Sequence, residues 1–198
     1  MAELREHRTP HPHPRVRVGQ RLGKYKIRRR LARGGFGDVY EAYDTIEGIS
    51  VAMKVPLGVS AQTLADFRRE IQITARLDHP NILPIKNADI YDGILVVSYP
   101  LGERTLDERL TRRISLANIL GFGQQMLAGL AYAHENGIVH CDVKPDNLIL
   151  FADGSLRLGD FGIAKFGLRT IHGSNSGTLG YIAPEQAMGH PSPRSDVF

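Results

Sequence analysis

The sequence has few of the features that mark secreted and membrane proteins. Its 198 residues include one cysteine, Cys141, which excludes an internal disulfide and favours a reducing compartment. No run of about 18 or more apolar residues occurs, so no transmembrane helix is predicted. The first residues are rich in arginine and histidine and lack an apolar stretch, which excludes a secretory signal. We therefore expect a cytoplasmic protein without a membrane segment.

Aromatic residues are also scarce, at 7% of the chain, and no long basic run is present. The formal net charge of +4 is mildly basic, which fits ATP or an acidic protein surface as a partner. Without basic and aromatic residues interleaved, a specific nucleic-acid partner is not expected. The hydrophobic fraction of 42% is sufficient for one sizeable core or for two small lobes.

Residues 1–21 are predicted to form a disordered basic tail. Prolines alternate with other residues between Arg8 and Arg15, and each proline removes a backbone donor and restrains the residue before it. A helix is therefore excluded there. Three histidines in this tail could bind a metal, but a solvated linker is the favoured interpretation. These histidines are His7, His11 and His13.

Polar residues that carry chemistry are concentrated in one stretch. Asp142, Lys144 and Asn147 lie within six residues of one another. Two apolar runs follow within residues 148–158, separated by an Asp-Gly pair, which is a strong hairpin signal. A second carboxylate, Asp160, comes directly after this hairpin. The two carboxylates therefore stand on either side of one predicted hairpin.

The order His-x-Asp-x-Lys-Pro-x-Asn, followed by Asp-Phe-Gly, resembles the catalytic and metal-binding loops of the eukaryotic-type serine/threonine protein kinases. The resemblance extends over residues 22–198. It implies an α+β, bilobal fold: a small antiparallel-sheet lobe with one helix over residues 22–98, and an incomplete, mainly helical large lobe over residues 99–198. By this resemblance, the chain ends at the start of the large lobe's central helix, where Asp196 holds the backbone of the catalytic loop.

The resemblance also implies the reaction, which is ATP- and Mg²⁺-dependent transfer of the γ-phosphoryl group to a serine or threonine hydroxyl of a protein substrate. Asp142 is expected to accept or orient the hydroxyl proton. Lys144 is expected to neutralise charge on the phosphoryl group, and Thr178 to brace both side chains. Asn147 and Asp160 offer the hard oxygen ligands that Mg²⁺ requires.

The ATP site is expected to lie mainly on the small lobe. Lys54, inside the apolar strand 51–55, is expected to hold the α- and β-phosphates, with Glu70 on the following helix as its partner. The glycine-rich turn lets backbone amides approach phosphate oxygens, and the backbone of residues 98–100 is expected to bind adenine. The other predicted ATP contacts are Leu31, Ala32, Arg33, Gly34, Gly35, Phe36, Gly37, Asp38, Val39, Ala52, Ser98, Tyr99, Pro100 and Ile149.

Two positions depart from the family pattern. Ala32 replaces the first glycine of the phosphate-covering loop. The closer backbone approach to the phosphates is then expected at Gly34 and Gly37. Cys141 replaces the arginine that often binds a phosphorylated activation loop. We expect Cys141 to be a buried small hydrophobe and activity not to depend strongly on phosphorylation at Thr170, Ser174 or Ser176.

Two other functions remain open from the sequence. An ATP-binding pseudokinase or regulatory scaffold would keep these motifs, yet lack the helices that seat a substrate. A small-molecule kinase of similar fold is disfavoured, because residues 177–185 resemble a segment suited to peptide docking. We also expect an exposed apolar face on a helix over residues 116–136, and low stability as a consequence. The oligomeric state is not predicted.

Overall fold

The computed structural model describes residues 16–33, 37–56, 71–161 and 180–198, together with Ala65 and Arg68. An antiparallel sheet with strand order β1-β2-β3-β4-β6-β5 forms the small lobe, and the order β7-β8-β9 forms a second sheet in the large lobe. The strands are β1 (Arg21–Leu22), β2 (Tyr25–Arg33), β3 (Gly37–Asp44), β4 (Ile49–Pro56), β5 (Asn87–Tyr91), β6 (Ile94–Pro100), β7 (Arg104–Thr105), β8 (Leu148–Leu150) and β9 (Leu156–Leu158).

Strand β4 lies inside the small-lobe sheet, between β3 and β6. Val51 and Met53 on this strand are fully buried, as the apolar pattern predicts. The β5–β6 hairpin turns at Asp92 and Gly93, which have φ of 51° and 76°. These left-handed conformations match the twist of antiparallel strands, and they favour glycine. The residues before β5, Ala65, Arg68 and 71–74, are helical where the structure describes them.

The small lobe begins earlier than the sequence predicts. Val16 is buried in the small-lobe core, and its carbonyl oxygen accepts a hydrogen bond of 3.3 Å from the Tyr40 hydroxyl. The Gly19 N–H donates to the Ile27 carbonyl at 2.9 Å. The predicted tail over residues 1–21 is therefore too long, because its last residues pack against the sheet.

The described part of the large lobe contains the helices α1 (Leu106–Leu110), α2 (Leu116–Glu135) and α3 (Pro184–Ala187). Helix α2 agrees with the helix predicted over residues 116–136. Thr105 and Glu108 form a capping box at the start of α1. Ser115 caps the start of α2, and Gly137, with φ of 71°, follows its end.

Helix α2 is buried along the carboxy-terminal part of one face. Leu130 and Ala133 lie in the same core cluster as Leu156 and Leu158 of β9. Ile119, nearer the start of the helix, is 47% exposed. Helix α2 therefore packs against β9 mainly through its second half.

Hairpin β8–β9 forms as predicted, with Leu148 paired to Leu158 and Leu150 paired to Leu156. Its turn contains Gly154, with φ of 82°. An antiparallel hairpin places its first and last residues side by side. The residue before β8, Asn147, and the residues after β9 are therefore brought to one end of the hairpin.

Candidate active site

The open end of hairpin β8–β9, opposite its turn, brings two of the predicted site segments together. The Gly159 N–H donates a hydrogen bond of 2.8 Å to the Asn147 carbonyl. Asn147 lies at the end of a short 3₁₀ turn, Pro145–Asn147, and Asp160 directly follows Gly159. The hairpin register thus places the two predicted magnesium ligands beside the neighbouring ends of β8 and β9.

Asp142 lies at the centre of a polar cluster. The Asn147 Nδ2 group donates to the Asp142 carbonyl at 2.8 Å and to Asp142 Oδ2 at 2.9 Å. The Lys144 Nζ group contacts Asp142 Oδ2 at 2.8 Å. The structure therefore brings these three predicted residues together. Because both bonds use the amide nitrogen of Asn147, its Oδ1 is the atom left to act as a metal ligand.

Lys54 and Asp160 join the small lobe to the large lobe. Lys54 Nζ contacts Asp160 Oδ1 at 2.5 Å, although 106 residues separate them in sequence. The Lys54 side chain is 7% exposed and the Asp160 side chain 41% exposed. Burial alone would raise the pKa of Asp160. The charge and hydrogen bond of Lys54 lower the pKa and outweigh this effect, so it lies below the ordinary value. The expected contact between the Lys54 amine and the Asp160 carboxylate is therefore observed.

Asp196 holds the backbone that precedes Asp142. Its carboxylate accepts hydrogen bonds of 2.7 Å from the His140 N–H and the Cys141 N–H. His134 Nε2 lies 2.8 Å from the same carboxylate. The side chain of Asp196 is buried, and these partners compensate its desolvation. This is the contact that the resemblance implied.

His140 connects the two loops, although it was not among the predicted site residues. Its Nδ1 accepts a bond of 3.2 Å from the Asp142 N–H, so its Nε2 carries the proton and donates to the Gly159 carbonyl at 2.8 Å. Burial lowers the pKa of His140, which favours this neutral form. Its ring also packs edge-on against Phe161, with centroids 4.7 Å apart.

A second residue that the sequence analysis missed is Gln186 on α3. Its side chain is buried, and Nε2 donates a bond of 2.5 Å to the Cys141 carbonyl. Cys141 is buried, as expected, and has a φ of 64°. A glutamine in a short helix has no distinctive spacing, so no sequence pattern indicates this contact. His140, in contrast, belongs to the motif itself.

The described part of the glycine-rich turn adjoins Lys54. Val39 pairs with Ala32 on one side and with Lys54 on the other. A Cβ on Gly37 would lie 2.6 Å from the Val55 carbonyl oxygen, so this close approach requires glycine. Leu31 is 37% exposed. Arg33 pairs with Asp38 across the turn, and the predicted site residues Gly34, Gly35, Phe36, Glu70 and Thr178 lie outside the described residues.

The predicted base-binding residues adjoin one segment between the lobes. Ala52 pairs with Tyr99 across β4 and β6, and both Ala52 and Ile149 pack against the cluster that contains Tyr99. The Ser98 carbonyl accepts a hydrogen bond of 2.8 Å from the Lys86 N–H. Pro100, the last residue of β6, has no backbone N–H. The segment thus has fewer backbone donors than its length suggests.

Comparison with known proteins identifies the family. A family model described as "Protein kinase domain" matches residues 25–198. The chain belongs to the protein kinase family. It is 39% identical over 199 residues to the serine/threonine-protein kinase PknA of Mycobacterium tuberculosis, covering 92% of this chain and 46% of that protein. It is 36% identical over 193 residues to the serine/threonine-protein kinase PrkC of Bacillus subtilis, covering 91% of this chain and 30% of that protein.

The fold comparison agrees with the family assignment. The crystal structure of the M. tuberculosis PknI kinase domain matches with a TM-score of 0.69 and 26% identity, covering 92% of this chain and 73% of that chain. The bilobal α+β kinase fold predicted from the sequence is therefore confirmed. The chain spans less than half of the length of PknA and of PrkC.

The kinase site has the donor set that Mg²⁺ prefers. The Asp160 carboxylate is part-exposed and Asn147 presents its amide oxygen, and both are hard oxygen ligands. Within the described ranges, no group of three or more His, Cys, Asp or Glu is arranged to hold a metal. Two protein ligands fit a cation that is otherwise bound by phosphates and water.

In the part of the chain that the structure describes, no helix has the length and apolarity needed to span a membrane.

Proposed function

We propose that this chain is a serine/threonine protein kinase that transfers the γ-phosphoryl group of ATP to a protein hydroxyl in a magnesium-dependent reaction. The observation that carries the proposal is the 2.5 Å contact between Lys54 Nζ and Asp160 Oδ1. This contact links the small lobe to the loop beside the Asp142–Lys144–Asn147 cluster. Serine or threonine as the acceptor is supported by the names of relatives that are 36% and 39% identical.

The three residues of the polar cluster have different proposed roles. The Asp142 carboxylate accepts or orients the proton of the acceptor hydroxyl, and one hydrogen bond from Asn147 Nδ2 to Oδ2 helps to orient it. Lys144, 2.8 Å from the same carboxylate, places a positive charge where the phosphoryl group passes. These residues supply position and charge, which is most of what phosphoryl transfer requires.

Nucleotide binding is assigned to the residues around Lys54. Lys54 would hold the α- and β-phosphates of ATP, and Asp160 and Asn147 would hold the cation. When bound, Mg²⁺ neutralises phosphate charge. Val39 and Ala52 from the small lobe and Ile149 from the large lobe provide apolar contacts for the base. The remaining predicted ATP contacts, including the backbone of residues 98–100, stay predictions.

The test is transfer of labelled γ-phosphate from ATP to a generic basic protein. Asp142→Asn should lower the rate by about 100-fold or more, because it removes a general base. Lys54→Met should lower transfer similarly and weaken ATP binding. Asp153→Asn at the exposed hairpin turn and Lys26→Met on the exposed side of β2 are matched controls, and both should retain wild-type rates.

The same assay distinguishes the pseudokinase alternative. Binding of ATP and Mg²⁺ with no transfer by the wild-type chain would contradict the proposed activity and favour a regulatory scaffold. Phosphoamino-acid analysis of the product should find phosphoserine or phosphothreonine and no phosphotyrosine. A protein substrate follows from the family assignment, whereas a cytoplasmic location and the absence of a specific nucleic-acid partner stay predictions.

A further inference from the structure

The peptide bond between Cys141 and Asp142 is held at both of its polar atoms. Its carbonyl oxygen accepts a hydrogen bond of 2.5 Å from Gln186 Nε2. Its N–H donates a bond of 3.2 Å to His140 Nδ1. Both of these side chains are buried. Rotation of this peptide plane would break two buried hydrogen bonds at once, so the plane is fixed relative to its surroundings.

The backbone at this position needs such support. Cys141 has a φ of 64°, a conformation that residues other than glycine seldom adopt and that persists only when neighbouring contacts hold it. Its N–H is bound by Asp196 Oδ1 at 2.7 Å. Asp196 therefore holds the amide side of Cys141, while Gln186 holds the carbonyl side that leads directly to Asp142.

The two side chains that hold Cys141 come from elements that are joined to each other. Gln186 lies on α3, and Asp196 ends the 3₁₀ turn Pro193–Asp196. The Ser195 hydroxyl donates to Glu185 Oε1 at 2.6 Å. This bond connects the residues directly before Gln186 and Asp196 in the chain, so α3 and the 3₁₀ turn approach the catalytic loop as one unit.

We propose that Gln186 is a positioning residue for phosphoryl transfer: by fixing the carbonyl of Cys141, it sets the direction of the Asp142 carboxylate. The inference rests on the proposed function, because it assigns Asp142 the role of orienting the acceptor hydroxyl. It also explains why an uncharged amide is buried beside a catalytic loop. A methionine of similar volume would fill the same space without donating a hydrogen bond.

The first test compares the wild-type chain with Gln186→Met. The rate constant kcat should fall by about 10-fold or more, while the KM for ATP should change by less than about 2-fold, because misdirection of one catalytic group affects the transition state and not ATP binding. Amide hydrogen exchange at Asp142 should become faster, since its peptide plane is released. This second measurement does not require catalysis.

A second variant, Gln186→Glu, provides a readout that packing alone would not affect. A protonated glutamic acid can donate to the Cys141 carbonyl, whereas a carboxylate can only repel it. The ratio of variant to wild-type kcat should therefore rise as the pH is lowered, and the same ratio for Gln186→Met should stay flat. Asp142, Lys144 and Asp196, the charged groups around this carbonyl, are the same in both variants.

The matched control is Gln125→Met on α2. Gln125 also binds backbone with its side chain, through a bond of 2.8 Å from the Leu156 N–H to Oε1, but it does not contact the catalytic loop. This control should lower Tm without changing the exchange of the Asp142 amide. Unchanged kcat and unchanged Asp142 exchange in Gln186→Met would overturn the inference. If the wild type showed no phosphoryl transfer, the proposed function would be refuted instead. Hydrogen exchange at the Asp142 amide would still decide whether Gln186 positions the catalytic loop.

Discussion

Each buried ionisable side chain at this site has its own way of reducing the free-energy cost of burial. Lys54 lies in a buried strand, where an ammonium group is costly unless it is paired, and Asp160 provides one partner at 2.5 Å. His140 is handled differently. It is fully buried, its pKa is lowered by burial, and it stays neutral while its two ring nitrogens bind backbone groups.

The neutral state of His140 predicts a pH dependence of stability. Because the folded-state pKa is below the unfolded value of about 6.5, the unfolded chain binds more protons as the pH falls below that value. Stability is therefore retained above about pH 6.5 and decreases as the pH falls through the unfolded-state pKa towards the folded-state pKa. Tm measured between pH 7.5 and 5.5 should fall less steeply for His140→Gln than for the wild type. Equal slopes would contradict this assignment.

Pro100 limits which hydrogen bonds the backbone of residues 98–100 can make to adenine in the proposed ATP site. Adenine offers a donor at N6 and an acceptor at N1, and proline has no N–H for N1. The wild type should therefore bind ATP and 1-deaza-ATP, which lacks N1, within about 2-fold of each other. Pro100→Ala should tighten ATP by about 2- to 10-fold, the worth of one added hydrogen bond, and should not tighten 1-deaza-ATP. Weaker binding of 1-deaza-ATP to the wild type would refute this.

Single residues in the motif could be predicted from sequence, whereas their supporting contacts could not. The motifs identify five residues by their order and spacing, and the structure brings them together as expected: Lys54, Asp142, Lys144, Asn147 and Asp160. Gln186 and the bond from Lys86 to the Ser98 carbonyl depend on tertiary packing. Their residue types carry no periodicity, so only coordinates reveal them.

At the scale of elements, local signals predicted the large lobe well. The Asp-Gly turn and the caps Thr105 and Ser115 are short-range features, and β8–β9 and α2 form close to their expected bounds. The start of the small lobe was wrong because the burial of Val16 depends on Tyr40, which lies 24 residues away. In sequence, the residues around Val16 have the same basic character as the tail before them.

The side chain of Asn81 joins helix α2 to strand β9, so its loss should have a large effect on stability. Asn81 Nδ2 donates bonds of 2.9 Å to Gln125 Oε1 on α2 and to the Leu156 carbonyl on β9. Asn81→Ala would leave these part-buried acceptors without that donor, so the free energy of unfolding should fall by about 1–3 kcal/mol in denaturant titration. Asn118→Ala, at an exposed position on α2, is the control and should stay within about 0.5 kcal/mol of wild type. A similar loss in both variants would contradict the network.

At the scale of the whole molecule, the lobes meet at Lys54 and Asp160, and the large lobe exposes apolar residues away from this site. Leu116, Leu120 and Leu127 recur on one face of α2 and are 70%, 58% and 49% exposed. Leu127 also lines a cavity of about 310 Å³ together with Val197 and Phe198. Helix α2 therefore does expose an apolar face, and that face consists of these three leucines.

This exposed face predicts the behaviour of the folded chain in solution. Contiguous apolar surface binds environment-sensitive dyes and promotes association, so the native chain should increase dye fluorescence before any unfolding occurs. The double variant Leu116→Gln and Leu120→Gln should reduce that fluorescence and leave phosphoryl transfer unchanged, because neither residue contacts the site. Leu130→Gln, in the buried half of the same helix, should instead unfold the chain and raise dye binding. A cooperative melt of the wild type without native-state dye binding would show that the face is covered in solution.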